Sequence, residues 1–135
     1  MLHKRHRILV VDDERAIAST LAMILEHRGY ETATAYSGEQ AVQTAFTFQP
    51  ECIVSDITMG ALNGIDAAIE ILRALPYCKV LFISGNAGYG DLLEDAHAKG
   101  FDFTVLLKPV PPSELLARLA QIFPNSGALT EELTA

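Results

Sequence analysis

Basic residues are scarce in this chain. Ten lysines and arginines stand against seventeen aspartates and glutamates, a formal net charge of −7. That balance argues against nonspecific attraction to nucleic acid or to an anionic membrane surface. Cysteine is nearly absent. Cys52 and Cys78 each adjoin an apolar run, with no secretion signal and no metal-ligand spacing. Two such thiols point to buried, reduced side chains in a cytoplasmic protein rather than to a disulfide framework. His3, His6, His27 and His97 likewise show no ligand spacing, and surface placement is expected for all four. No apolar stretch approaches the length of a membrane helix. The basic start "MLHKRHR" is not followed by one either, so neither a signal peptide nor a membrane span is read. Residues 1–6 are expected to form a solvated arm. There is no internal repeat and no low-complexity segment.

What remains is a chain of 135 residues, half of them hydrophobic. That is enough for one domain with a packed core. Short aliphatic runs alternate with amphipathic stretches. The runs are Ile8–Val11, Thr32–Ala35, Cys52–Ser55, Val80–Ser84 and Val105–Leu107. Most lack polar alternation, as expected of parallel strands covered on both faces. "ETATA" is the exception and is expected at a sheet edge. Between the runs, Ile17, Leu21, Ile24 and Leu25 share one helical face, with Gly29 at the stop. Ser37 and Gln40 resemble a capping box. Ile65, Ala68, Ile69, Leu72 and Leu75 repeat at helical spacing before Pro76. A shorter helix is expected over Asp91–Lys99. A last one carries Leu115, Leu116, Leu119 and Ile122 after Pro111 and Pro112. Strand followed by helix, five times over, implies a doubly wound α/β domain with a parallel sheet. That domain is assigned to residues 7–123, and 124–135 reads as a tail.

In such a sheet, ligands bind beyond the carboxyl ends of the strands. The first strand runs into "DDE", Asp12 to Glu14. The third ends at Asp56, the fourth at Ser84 and the fifth at Lys108. If the first and third strands are neighbours, three carboxylates converge. Such a cluster demands a cation, and an all-oxygen shell completed by water suits Mg²⁺. A metal, a lysine and a hydroxyl around one aspartate make a site for a tetrahedral anion, and phosphoryl transfer to a carboxylate fits it. Glu14 is read as helix-start charge. A flavin or nucleotide site would want a glycine- or hydroxyl-rich loop after the first strand; "DDER" offers carboxylates instead.

"ILVVDDE", "IVSDITM" followed by "NG", "LFISG" and "LLKP" occur in that order. Over about Arg7 to Phe123 the chain resembles a receiver domain of the two-component response regulators. The resemblance implies a (βα)5 flavodoxin-like fold with strand order 2-1-3-4-5. It implies Asp56 as phosphoacceptor, with Asp12, Asp13, Asp56 and the Thr58 carbonyl on Mg²⁺. Ser84 is then the hydroxyl that meets the phosphoryl group and Lys108 the lysine that contacts it, aimed by a cis bond to Pro109. The implied partners are a sensor histidine kinase or histidine phosphotransfer protein and an unidentified downstream protein. The chain itself is expected as a monomer or weak dimer, a single-domain switch rather than an enzyme. A phosphorelay intermediate and a degenerate receiver used only for binding are the alternatives.

The chain departs from the family pattern in four places. Val105 stands where the family carries an aromatic. "GFDFTVLLKP" is one residue longer than usual between its glycine and its lysine, and Phe101 and Phe103 there are assigned to core packing. Gly60 replaces a common proline, which predicts a looser loop after Asp56. "SGNAGYGD" predicts a mobile loop over Gly85–Gly90 and a loosely held fourth helix.

Overall fold

The computed structural model describes residues 5–85 and 88–123. Strands β1 (Arg7–Val11), β2 (Glu31–Ala35), β3 (Cys52–Asp56), β4 (Lys79–Ser84) and β5 (Thr104–Leu107) alternate with five helices. These are α1 (Arg15–His27), α2 (Gly38–Phe48), α3 (Gly64–Ala74), α4 (Gly90–Ala98) and α5 (Pro112–Ile122). The strands form one parallel sheet in the order β2-β1-β3-β4-β5. "ETATA" is at an edge, as its half-polar pattern requires. Four strands begin one residue earlier than the aliphatic runs do, at Arg7, Glu31, Lys79 and Thr104. Those polar residues join the ladder through their backbones, which hydropathy does not register.

Alternation along the strands divides the core. Ile8, Val10, Cys52, Val54, Leu81, Ile83 and Leu106 meet Ala18 and Leu25 of α1 and Leu115 and Leu119 of α5. On the other face Leu9, Val11 and Ile53 meet Ala41 and Ala45 of α2 and Ile71 of α3. Phe82 meets Ile65 and Ala68 of α3 and Ala96 of α4. Burial on both faces explains why these runs carry no polar alternation. Within α4, Ala96 is the residue that becomes buried, in keeping with a lightly held helix.

Glycines end two helices as the sequence suggests. Gly29 takes φ +94° and Gly100 φ +93°. Tyr30 N–H reaches back to the Leu25 carbonyl and Gly29 N–H to that of Glu26, and Phe101 and Gly100 repeat the pattern on Ala96 and His97. Both are Schellman closures. At the start of α2, Ser37 Oγ accepts from Gln40 N–H at 3.0 Å. The Gln40 amide, however, accepts from Tyr36 N–H at 2.7 Å rather than from Ser37. The capping box is therefore displaced by one residue.

His6 departs from the expectation of a solvated arm and surface histidines. Its ring stacks on Phe123, 4.1 Å between centroids and 14° from parallel, and its Nδ1 lies 3.2 Å from Glu51 Oε2. Glu31 N–H donates to its carbonyl. An aromatic neighbour distant in sequence, invisible to local patterning, ties it down. His97 is exposed, paired with Asp102. Cys52 and Cys78 are both free and buried; burial pushes both thiols up, Cys78 to about 12. That leaves them unreactive at neutral pH. Among the described residues no helix is long and apolar enough to cross a membrane. Residues 1–4 of the arm and the tail 124–135 lie outside the described residues.

Glu51 fastens the base of the sheet. Its Oε1 accepts from Arg7 N–H at 3.0 Å and faces the Arg7 guanidinium at 3.8 Å. Burial pushes its carboxyl up, but the Arg7 N–H and His6 outweigh this and hold it below its ordinary value of 4.5. A lowered carboxyl contributes stability above its unfolded value and loses it as pH falls through its folded value. Glu51→Gln is expected to cost about 1 kcal/mol at neutral pH. The gap to the wild type should close as pH drops below 4.5. Thermal denaturation across that range checks both the size and the direction.

Candidate functional site

Because β1 lies between β2 and β3, the carboxyl ends of β1 and β3 are adjacent. Asp12 and Asp13 follow the first of these strands and Asp56 ends the second. One carboxylate oxygen from each lies within 4.8 Å of the others. Asp12 is 3% exposed, Asp56 is half-buried and Asp13 faces solvent. Local backbone holds each in place. Asp12 N–H continues the ladder to the Ala35 carbonyl at 3.1 Å, and its Oδ1 accepts from Glu14 N–H at 2.9 Å. That Asx-type turn directs the chain into α1. Asp56 Oδ1 accepts from Thr58 N–H at 3.3 Å, which brings Thr58 onto the rim.

Lys108 enters from the far strand. Its N–H donates to the Ser84 carbonyl at 2.8 Å, and the bond to Pro109 is cis. Its Nζ lies 3.3 Å from Asp56 Oδ2 and 3.7 Å from Asp12 Oδ2. Ser84 is fully buried at the end of β4. The structure thus brings Asp12, Asp13, Asp56, Thr58 and Lys108 to one rim, with Ser84 tied to it through the backbone.

The electrostatics show what the arrangement lacks. Burial pushes the Asp12 carboxyl up, and Asp56 and Asp13 add to the shift; the Glu14 N–H and Lys108 offset only part of it. Burial alone would lower Lys108, but the charges of Asp56 and Asp12 hold it above its ordinary value. One lysine is set against three carboxylates. A hard divalent cation balances the charge, and a donor set of carboxylate oxygens partly open to solvent suits Mg²⁺ with retained waters. The residues present therefore fit that ion.

Two supports escaped the sequence. An ideal Cβ on Gly64 would lie 2.1 Å from the Asp56 carbonyl oxygen, and one on Gly38 would lie 2.3 Å from the Leu62 carbonyl oxygen. The loop from Asp56 to α3 is clasped at both glycines. Gly64 N–H also donates to the Ile57 carbonyl, and Ile57 and Met59 are buried. The looseness expected from Gly60 therefore does not extend to the ends of the loop. Only the "NG" pair hinted at this. Glu14, read as helix-start charge, serves also through its N–H to Asp12. Phe103 meets Phe82 edge-on at 5.1 Å and stacks on Phe101 at 6.1 Å, so both pack half-buried against the core, in line with the expected packing role. Of the glycine-rich loop Gly85–Gly90, Asn86 and Ala87 lie outside the described residues. The cavity of about 620 Å³ among Leu72, Lys79, Phe101, Phe103 and Arg118 is at the amino ends of the strands, away from the carboxylates.

A family model described as the response regulator receiver domain matches residues 8–120. The chain is 34% identical over 117 residues to chemotaxis protein CheY of Thermotoga maritima, covering 86% of this chain and 96% of that one. It is 30% identical over 115 residues to the DNA-binding response regulator MtrA of Mycolicibacterium paratuberculosis, covering 85% of this chain. The chain spans about half the length of such DNA-binding relatives. Among solved structures it is similar to the CheX-CheY-BeF3-Mg+2 complex from Borrelia burgdorferi. The TM-score is 0.74 at 28% identity, covering 87% of this chain and 89% of that one. The chain belongs to the response regulator receiver domain family of two-component systems.

Gly64 gives a test of how the site is held. Alanine is normally the better helix former by up to about 1 kcal/mol. Here the clash with the Asp56 backbone should reverse the sign, and Gly64→Ala should lose about 1–3 kcal/mol. Gly60, with nothing within 4 Å of an added Cβ, should tolerate alanine. Urea unfolding of the two variants separates them.

Proposed function

We propose that this receiver domain accepts a phosphoryl group on Asp56 from a phosphohistidine of a histidine kinase or phosphotransfer protein, and passes the signal on by protein contact. Receiver domains act as phosphoacceptors and bind Mg²⁺ at an acidic pocket. The observation that carries the proposal for this chain is the convergence of Asp12, Asp13 and Asp56 within 4.8 Å, with Lys108 3.3 Å from Asp56.

A carboxylate oxygen of Asp56 attacks phosphorus. The bond from phosphorus to the donor nitrogen breaks, and its electron pair leaves with the imidazole. The Oδ2 of Asp56 is held toward Lys108 and Oδ1 toward the Thr58 N–H, so the carboxylate is oriented before the donor arrives. Lys108 neutralises charge on a phosphoryl oxygen, and the Ser84 hydroxyl supplies a hydrogen bond to another. Asp12, Asp13, Asp56 and the Thr58 carbonyl are the ligands proposed for Mg²⁺, which when bound supplies charge neutralisation on the transferring group. The product adds negative charge beside Asp12 and Asp13, stable only with both cations close by.

Two measurements test this. Mg²⁺ should raise the thermal midpoint, by about 2.7 kcal/mol of stability at a hundred times its Kd. Asp13→Ala should remove most of that rise, and an unchanged rise would displace the metal from this cluster. Incubation with acetyl phosphate and Mg²⁺ should add one phosphoryl group by intact mass, and Asp56→Asn should not be labelled. Full labelling of that variant would move the chemistry elsewhere.

A further inference from the structure

The phosphoryl site makes no use of the groove of about 620 Å³ at the amino ends of the strands. Leu72 of α3, Lys79 of β4, Phe101 and Phe103 before β5, and Arg118 and Ile122 of α5 line it. The four apolar residues are half-buried, and both cations are exposed. The aromatic wall, Phe101 stacked on Phe103 at 6.1 Å and 10° from parallel, belongs to the connection that is one residue longer than the family pattern. The remaining charge in the lining is Asp102, and that carboxylate is paired with His97. Among the described residues neither Lys79 nor Arg118 makes an ion pair. Apolar walls and two uncompensated cations fit an occupant that is both apolar and acidic. The chain carries such a segment at the edge of the groove. Helix α5 ends with Ile122 on the groove and Phe123 turned the other way, stacked on His6. The sequence then reads "PNSGALTEELTA", residues 124–135. Its charged residues, Glu131 and Glu132, are both acidic and are bracketed by Leu129 and Leu133. Ser126-Gly127 is a turn-forming pair. From Phe123 to Leu129 the chain can span up to about 20 Å.

We propose that this groove is a docking site for the chain's own segment 128–133, "ALTEEL". Leu129 and Leu133 pack against Phe101, Phe103 and Ile122, and Glu131 and Glu132 meet Lys79 and Arg118. The link through α5 makes the contact intramolecular, so a few weak contacts suffice where a free peptide would need many. The docked segment ties the end of α5 to the starts of β4 and β5. It covers the apolar surface there against other proteins and leaves the opposite end of the sheet, with Asp56, open to a phosphoryl donor. This inference does not depend on the chemistry proposed for Asp56.

The test is paramagnetic broadening of amide signals in the whole chain, with a nitroxide on Thr134→Cys. Cys52 and Cys78 are buried and stay unlabelled. Broadening should fall on Lys79, Phe101–Thr104 and Arg118. It should spare Tyr30, whose ring lies 6.1 Å from that of Phe123 on the other side, and Glu31 after it. Equal broadening on both sides of Phe123, or none at the groove, overturns the docking. Glu131→Lys with Glu132→Lys should lower the docked-to-free ratio about tenfold, and Lys79→Glu with Arg118→Glu should do the same. All four changes together should restore the original pattern. A pattern that survives the first pair, or does not return in the fourfold variant, overturns the charge pairing and the proposal with it. A last arm mixes nitroxide-bearing chains with isotope-labelled chains that carry none. Broadening at the groove of the latter makes a second copy the occupant and overturns docking within one chain.

Discussion

Repulsion among Asp12, Asp13 and Asp56 is the constraint around which the rest is arranged. Their oxygens lie within 4.8 Å of one another, and like charges at that range oppose folding most where burial keeps water away, as it does at Asp12. Asp12 shows the cost, pushed up by burial and by its neighbours. A chain built only for stability would not hold three acids there. The sheet does so by topology, since placing β3 beside β1 leaves the carboxyl ends of both strands adjacent. Lys108, from the far edge of the sheet, relieves part of the repulsion and owes its raised proton affinity to the same acids. The remaining imbalance is what makes the site receptive to a divalent ion and then to an anion.

Holding Asp56 in that field needs a rigid backbone, and two missing side chains provide it. At Gly64 and Gly38 the loop beyond Asp56 passes so close to neighbouring carbonyls that any Cβ would collide. Ile57 and Met59 anchor the same loop from below. The rim is thus fixed by packing beneath it while its oxygens stay partly in water. Preorganisation of this kind lets a carboxylate meet phosphorus without first paying to be oriented.

Sheet, helix order and the rim residues were legible because each has a local signature. A strand buried on both faces reads as an unbroken aliphatic run, and a strand end reads as the polar residue that follows it. Asp12, Asp56, Ser84 and Lys108 could be picked out by that rule alone, and resemblance supplied their roles. What escaped depends on contacts across the fold. His6 looks like part of a basic arm until Phe123, more than a hundred positions on, stacks against it. Gly64 looks like a helix start until the Asp56 carbonyl is placed 2.1 Å from where its Cβ would be. The shift of the α2 capping partner from Ser37 to Tyr36 likewise depends on how the chain leaves β2, not on residue identity.

The same reasoning bears on how a change at Asp56 is communicated. The family pattern implies an aromatic at the position of Val105, able to move when the serine does. Here Val105 is part of the packed layer with Phe82, Phe101 and Phe103. Phe103 meets Phe82 edge-on, and Phe101 stacks behind it. That aromatic volume comes from the longer connection before β5, where Phe101 and Phe103 lie half-buried against the core and border the cavity at the amino ends of the strands. The backbone offers another route. Lys108 N–H is bonded to the Ser84 carbonyl at 2.8 Å, so the ends of β4 and β5 are tied at the two residues proposed to contact the phosphoryl group. A pull on the Lys108 ammonium and a pull on the Ser84 hydroxyl act on that one linkage. Displacement of either residue would therefore be felt at both strand ends. On the β5 side such a displacement would be passed through Pro109 toward α5.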